Sequence, residues 1–142
     1  MSFPDVKTLL PHRDPILLVD RITAFDPGKS IRTEFTVRND MSVFAGHFPG
    51  NPVLPGVYSI EAMTQTGVCL LMADDHNQGK APLFLGVNNA RFFRPIVPGD
   101  ILEMTAEIIS VRKDKPVCTL KEEVRVKGEL AAACEAVVFL KS

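Results

Sequence analysis

The sequence predicts an α+β fold in which an antiparallel sheet is laid against one long helix. Three observations carry that expectation. Residues 56–73, GVYSIEAMTQTGVCLLMA, hold Glu61 as their only charge and leave no broad solvated face, so they read as a core helix. In residues 101–112, Leu102, Met104, Ala106 and Ile108 alternate with Glu103, Thr105 and Glu107, the pattern of a strand with one dry and one wet face. The turn-forming strings VPGD, KDKP and KGE divide the C-terminal half into β-rich runs.

The elements follow in chain order. Ser2, Pro4 and Asp5 read as the capped start of a short helix running to about Leu10. Ile16 to Phe25 and Ile31 to Val37 form a predicted hairpin around DPGK, whose proline and glycine suit a turn. Between His47 and the central helix, Pro49, Pro52 and Pro55 recur at every third position with Gly50 and Gly56 between and after them. Three fixed φ angles forbid a helix there and specify the shape of the loop. Beyond the helix, strands are expected near 83–95, 101–112, 117–126 and 130–140. A single domain spanning residues 1–142 is the expectation, long enough to bury a core and too short for a separate cofactor module.

Composition excludes several function classes. With 16 basic and 17 acidic residues the net charge is −1, which gives no basis for binding nucleic acid or an anionic membrane. The longest apolar run, Val68 to Ala73, is far too short to span a bilayer, and MSFPDVKTLL lacks a signal-peptide pattern, so a soluble, cytoplasmic protein is expected. Cys69, Cys118 and Cys134 are odd in number and scattered among apolar neighbours, as buried thiols are. No HExxH, P-loop or GxGxxG string occurs, so no metal or cofactor is expected.

Chemistry concentrates between His47 and Glu61, which the proline loop joins. Burial of a carboxyl on an apolar helix favours its protonated form and suits a proton donor near neutral pH. The competing readings are structural: Glu61 in a polar strip with Ser59, Thr64 and Gln65, and His47 packed beside Phe48. His12, between two prolines, and His76, after Asp74 and Asp75, read as surface-turn residues outside the chemistry.

The string HFPGNPVLPG followed by EAMTQ resembles the active-site segment of the (3R)-hydroxyacyl-acyl carrier protein dehydratases of type II fatty acid synthesis. PHRDPILLVDRI and FLGVNNARFFRPIVPGDIL are similar to that family's flanking segments, and the likeness covers nearly the whole chain. The resemblance implies the hot-dog fold, with His47 as the base at C2 and Glu61 as the acid at the C3 hydroxyl. It also implies that the Gly56 N–H binds the thioester carbonyl, a role that the free N–H groups and positive dipole end of a helix start support independently. Phe48, Leu54, Val57 and Phe93 are the candidate walls of an acyl tunnel. The implied partners are an acyl carrier protein bearing a phosphopantetheine-linked 3-hydroxyacyl chain and a second copy of the chain. Active sites are shared across that homodimer, and family members assemble further into hexamers as trimers of dimers.

For His12 the resemblance implies only a structural role in bracing its turn. Arg91, Arg94, Arg112, Lys113 and Lys115 are candidate cations for an acidic carrier, with a solvated strand end as the bland reading of each. Asp14, Tyr58, Ser59 and Thr64 depart from the family pattern without touching the catalytic pair. Glu61 and Val57 distinguish the chain from a sister group that also isomerises the double bond. Two alternatives stay open at this stage. A hot-dog thioesterase would have no use for the HFPGNPVLPG loop, and a non-catalytic acyl-carrier-binding subunit would have no use for an intact His47 and Glu61.

Overall fold

The computed structural model describes residues 2–142. A short helix, α1 (Val6–Leu9), opens the chain. Its cap is Asp5, whose carboxylate accepts the Lys7 N–H at 3.0 Å. Asp5 takes the extended backbone that an N-cap needs, so Ser2 and Pro4 fall outside the helix they were expected to start.

The predicted hairpin is present but starts late, as β1 (Arg21–Asp26) and β2 (Ser30–Thr36). Residues 16–18 stay out of the sheet because their backbone groups find another partner. The Gln65 side chain donates to the Ile16 carbonyl at 2.7 Å and accepts the Leu18 N–H at 2.8 Å. Gly28, with φ +75, closes the turn between the strands.

Four more strands complete the sheet: β3 (Ala81–Phe92), β4 (Ile101–Val111), β5 (Val117–Val126) and β6 (Glu129–Lys141). All pairings are antiparallel, in the order β1-β2-β4-β5-β6-β3. The β5–β6 hairpin turns on Lys127 and Gly128, both at positive φ, the backbone that a two-residue hairpin loop demands. In β4 the expected alternation holds, with Leu102, Met104 and Ala106 fully buried.

The central helix, α2 (Gly56–Met72), packs across β2, β4 and β5. Ala62, Met63, Cys69 and Leu70 face the sheet, and Thr66 bonds to Thr33 of β2 at 2.8 Å. A Cβ added at Gly67 would press into the side-chain carboxylate of Glu122 on β5, so a larger residue there has to displace it. One helix laid on a six-stranded antiparallel sheet is the hot-dog architecture.

The helix is not covered on every side, contrary to expectation. Val57 in its first turn is 68% exposed and Glu61 is half-buried, so part of the helix start is left uncovered among the described residues. Strand β3 is also bare, because among the described residues it pairs only with β6 and its second edge is free. Leu83, Phe84 and Leu85 are all exposed although neighbouring strand residues point to opposite faces. A long apolar edge strand left open is an unusual liability for a soluble fold.

Candidate active site

His47 follows a 3-10 turn (Ser42–Ala45) and opens the proline loop. Its Nδ1 lies 2.6 Å from the Val53 carbonyl across that loop. A carbonyl only accepts, so Nδ1 carries a proton, and in the neutral ring it is Nε2 that keeps the lone pair. The loop is held in turn by a bond from the Leu54 N–H to the Ile96 carbonyl at 2.8 Å, and Phe48 sets its ring edge-on to the imidazole at 4.6 Å.

Helix α2 starts beside this imidazole. Its N-cap, Pro55, offers no capping side chain, so the first N–H groups have no side-chain partner. A Cβ on Gly56 would meet the Phe92 ring at 3.0 Å, so any larger residue must shift that ring or the helix start by a few tenths of an ångström. His47, Leu54, Gly56, Ser59, Phe93 and Arg94 line one cavity of about 470 Å³. An imidazole, a backbone donor without a side-chain cap at a positive helix end and apolar walls therefore share one space.

Glu61 lies elsewhere. It lines a second cavity, of about 630 Å³, with His12, Val57, Ile60, Gln65 and Lys80. Its side chain is 35% exposed, not the fully buried carboxyl that the helix composition led us to expect. Gln65, one turn on and fully buried, donates to Glu61 Oε2 at 2.8 Å. Because the same amide is anchored to Ile16 and Leu18, the carboxyl is oriented by a side chain that cannot swing away.

The structure brings His12 to this site, against its reading as a residue of an exposed turn. Its Nε2 lies 3.5 Å from Glu61 Oε2, and its Nδ1 is buried without a partner. Nothing in PHRDP signals that proximity; it arises because the chain before β1 folds back over α2.

Of the candidate tunnel residues, Leu54 and Phe93 line the His47 cavity and Val57 the Glu61 cavity, while Phe48 lines neither and is 62% exposed. Strict alternation would put Phe92 and Phe93 on opposite sides, yet both border the His47 cavity, since β3 ends at Phe92. Among the candidate cations, Arg94 pairs with Glu129 at 3.3 Å and Arg112 with Asp114 at 2.7 Å. All three cysteines are buried, and burial pushes the Cys69 thiol up to about 12, which makes it a poor nucleophile.

The FabA-like domain family matches residues 10–135. The 3-hydroxyacyl-[acyl-carrier-protein] dehydratase FabZ of Symbiobacterium thermophilum is 42% identical over 129 residues, covering 88% of this chain and 91% of that protein. The chain belongs to the 3-hydroxyacyl-acyl carrier protein dehydratase family. The dehydratase FabZ of Latilactobacillus sakei is 40% identical over 137 residues, covering 96% of each protein.

Solved structures extend the likeness of this dehydratase-family chain at the level of fold. The dehydratase heterocomplex ApeI:P of Xenorhabdus doucetiae superposes with a TM-score of 0.80 at 18% identity, covering 99% of this chain and 93% of that one. A hypothetical thioesterase with coenzyme A from Streptococcus pneumoniae gives 0.67 at 13% identity, covering 86% and 85%. Such identities speak for the fold alone. No helix among the described residues is long and apolar enough to cross a membrane.

Proposed function

We propose that the chain dehydrates (3R)-3-hydroxyacyl-acyl carrier protein to the trans-2-enoyl thioester in fatty acid or related acyl-chain biosynthesis, at sites built between two copies. His47 Nε2 removes the C2 proton of the substrate. The C3–oxygen bond breaks as Glu61 delivers a proton to the departing hydroxyl, directly or through water. The Gly56 N–H, at the positive end of α2, stabilises the negative charge that gathers on the thioester oxygen. The thioester itself acidifies C2, so the scheme requires no cofactor.

The observation that carries this reading is the separation of the two catalytic groups into different cavities of one chain. A base and an acid acting on adjacent carbons must reach one substrate together. A second copy docked on the free β3 edge and the uncovered helix start reconciles them, pairing the His47 cavity of one copy with the Glu61 cavity of its partner. The exposed Leu83, Phe84, Leu85 and Val57 supply apolar surface for that docking.

The test is turnover of (3R)-3-hydroxyacyl-acyl carrier protein, followed by enoyl absorbance and by the mass of water lost. His47→Ala and Glu61→Gln are each expected to lose about 10²–10⁴-fold in kcat. Mixing the two variants after subunit exchange should restore one intact site per mixed dimer. A Glu61→Gln protein with near wild-type turnover refutes the mechanism, and no recovery despite demonstrated exchange refutes the shared site. Release of free thiol without enoyl absorbance would identify a thioesterase instead.

A further inference from the structure

The geometry points to His12 as a positioning residue that fixes which oxygen of Glu61 carries the transferable proton. This inference rests on Glu61 being the acid of the proposed dehydration. Two donors converge on the same oxygen, Oε2: the Gln65 amide at 2.8 Å and the His12 Nε2 at 3.5 Å. The first is a full hydrogen bond. The second is longer, and a small rotation of either side chain shortens it into one, as often happens when a substrate closes an active site.

The protonation of His12 follows from its surroundings. Nδ1 is buried and has no partner, and a buried orphan acceptor is tolerated more readily than a buried orphan N–H. Nδ1 is therefore the bare nitrogen, and Nε2 holds the proton and aims it at Glu61. The ring is held by a braced segment, since Arg13 donates to the His12 carbonyl at 2.6 Å and to the Leu10 carbonyl at 2.9 Å.

With both donors on Oε2, a proton on that oxygen would meet two N–H groups head-on. The acidic proton of Glu61 accordingly sits on Oε1, for which the structure shows no hydrogen bond, and which is free to face the substrate. After delivery, the new negative charge is stabilised at Oε2 by His12 and Gln65 together. His12 touches no reacting atom in this scheme. It loads the acid in the delivering geometry. Among the described residues, Lys80 is the one lysine or arginine lining the cavity.

The experiment compares wild type, His12→Ala, His12→Gln, Glu61→Gln and the double variant His12→Ala/Glu61→Gln in steady-state turnover across pH. His12→Ala should lower kcat roughly 10-fold, part of the about 10²–10⁴-fold that a positioned acid contributes, with little change in KM. The alkaline limb of its pH–rate profile should move to higher pH, because the carboxylate has lost a donor. His12→Gln keeps an N–H at similar reach and should recover most of the rate. In the Glu61→Gln background, His12→Ala should cost nothing further. Equal losses from His12→Ala in both backgrounds, an unmoved alkaline limb, or no recovery in His12→Gln would overturn the inference while leaving the dehydratase reading intact. Near wild-type turnover of Glu61→Gln would overturn both, and so separates the two failures.

Discussion

Replacing Glu122 by glutamine should make the protein more stable, by an amount that grows with pH. Glu122 lies on β5 between Leu120 and Val124, fully buried beneath α2. Its Oε1 accepts from the Cys134 thiol at 3.6 Å, and its Oε2 has no partner. Burial pushes the carboxyl from its ordinary 4.5 up to about 8, with the Cys134 hydrogen bond pulling weakly the other way. Below pH 4.5 the folded and unfolded chains both hold this proton, and ionisation costs the fold nothing. Between 4.5 and about 8 the unfolded chain releases the proton and the folded chain keeps it, so each step upward in pH favours unfolding. At 1.36 kcal/mol per pH unit, the penalty reaches roughly 3 kcal/mol at pH 7 and levels off at roughly 5 kcal/mol above pH 8. Glutamine has nearly the shape of the neutral acid, keeps an acceptor for Cys134 and never ionises. Denaturant unfolding of both proteins at fixed concentration, from pH 5 to pH 9, should show curves that nearly coincide at pH 5 and diverge to a plateau above pH 8. A gap of constant size across that range would refute the argument, because it would mean that Glu122 acts through packing and not through its charge.

Three further outcomes test other contacts. Gly67→Ala drives a methyl into the Glu122 carboxylate and should cost about 1–3 kcal/mol, with much of the loss relieved when Glu122 is also truncated to alanine; equal losses in both backgrounds would count against that clash. Leu85→Lys puts a charge on the free edge of β3 and should yield a folded monomer without turnover, which sedimentation and circular dichroism would detect; a stable, active dimer would move the interface elsewhere. Gly56→Ala must displace the Phe92 ring or the helix start by a few tenths of an ångström, and should lower kcat roughly 10-fold with little change in melting temperature, as an unaltered kcat would disprove.

Much of this fold was legible in the chain because its signals are local. Three prolines in register specify the His47 loop, and alternation marks β4 without reference to anything distant. What the sequence hid was distant partnership. His12 reads as a turn residue because nothing near it in sequence announces Glu61. Glu61 reads as a core carboxyl because composition counts the apolar neighbours on a helix but not the side that the chain leaves bare. Glu122 looks like one of three wet charges in KEEV, though its spacing of two from Leu120 and from Val124 puts it on their inward face. That last signal was present and is overridden by the expectation that a charge seeks water. Gln65 shows the converse, since its position one turn after Glu61 hinted at their contact, while its grip on Ile16 and Leu18 required the fold.

If the sites are shared between two copies as proposed, housing His47 and Glu61 in separate cavities also determines how damage is inherited when intact and defective copies pair at random. A copy lacking only His47 still lends its Glu61 to a healthy partner, so a cell making both kinds in equal amounts keeps about half of its sites. A copy lacking both residues spoils both sites of every mixed pair, and only the quarter of pairs that are wholly intact still work. Two lesions on one allele and the same lesions divided between two alleles therefore both leave a quarter of the sites, the first gathering them in wholly intact pairs and the second spreading them one to each mixed pair.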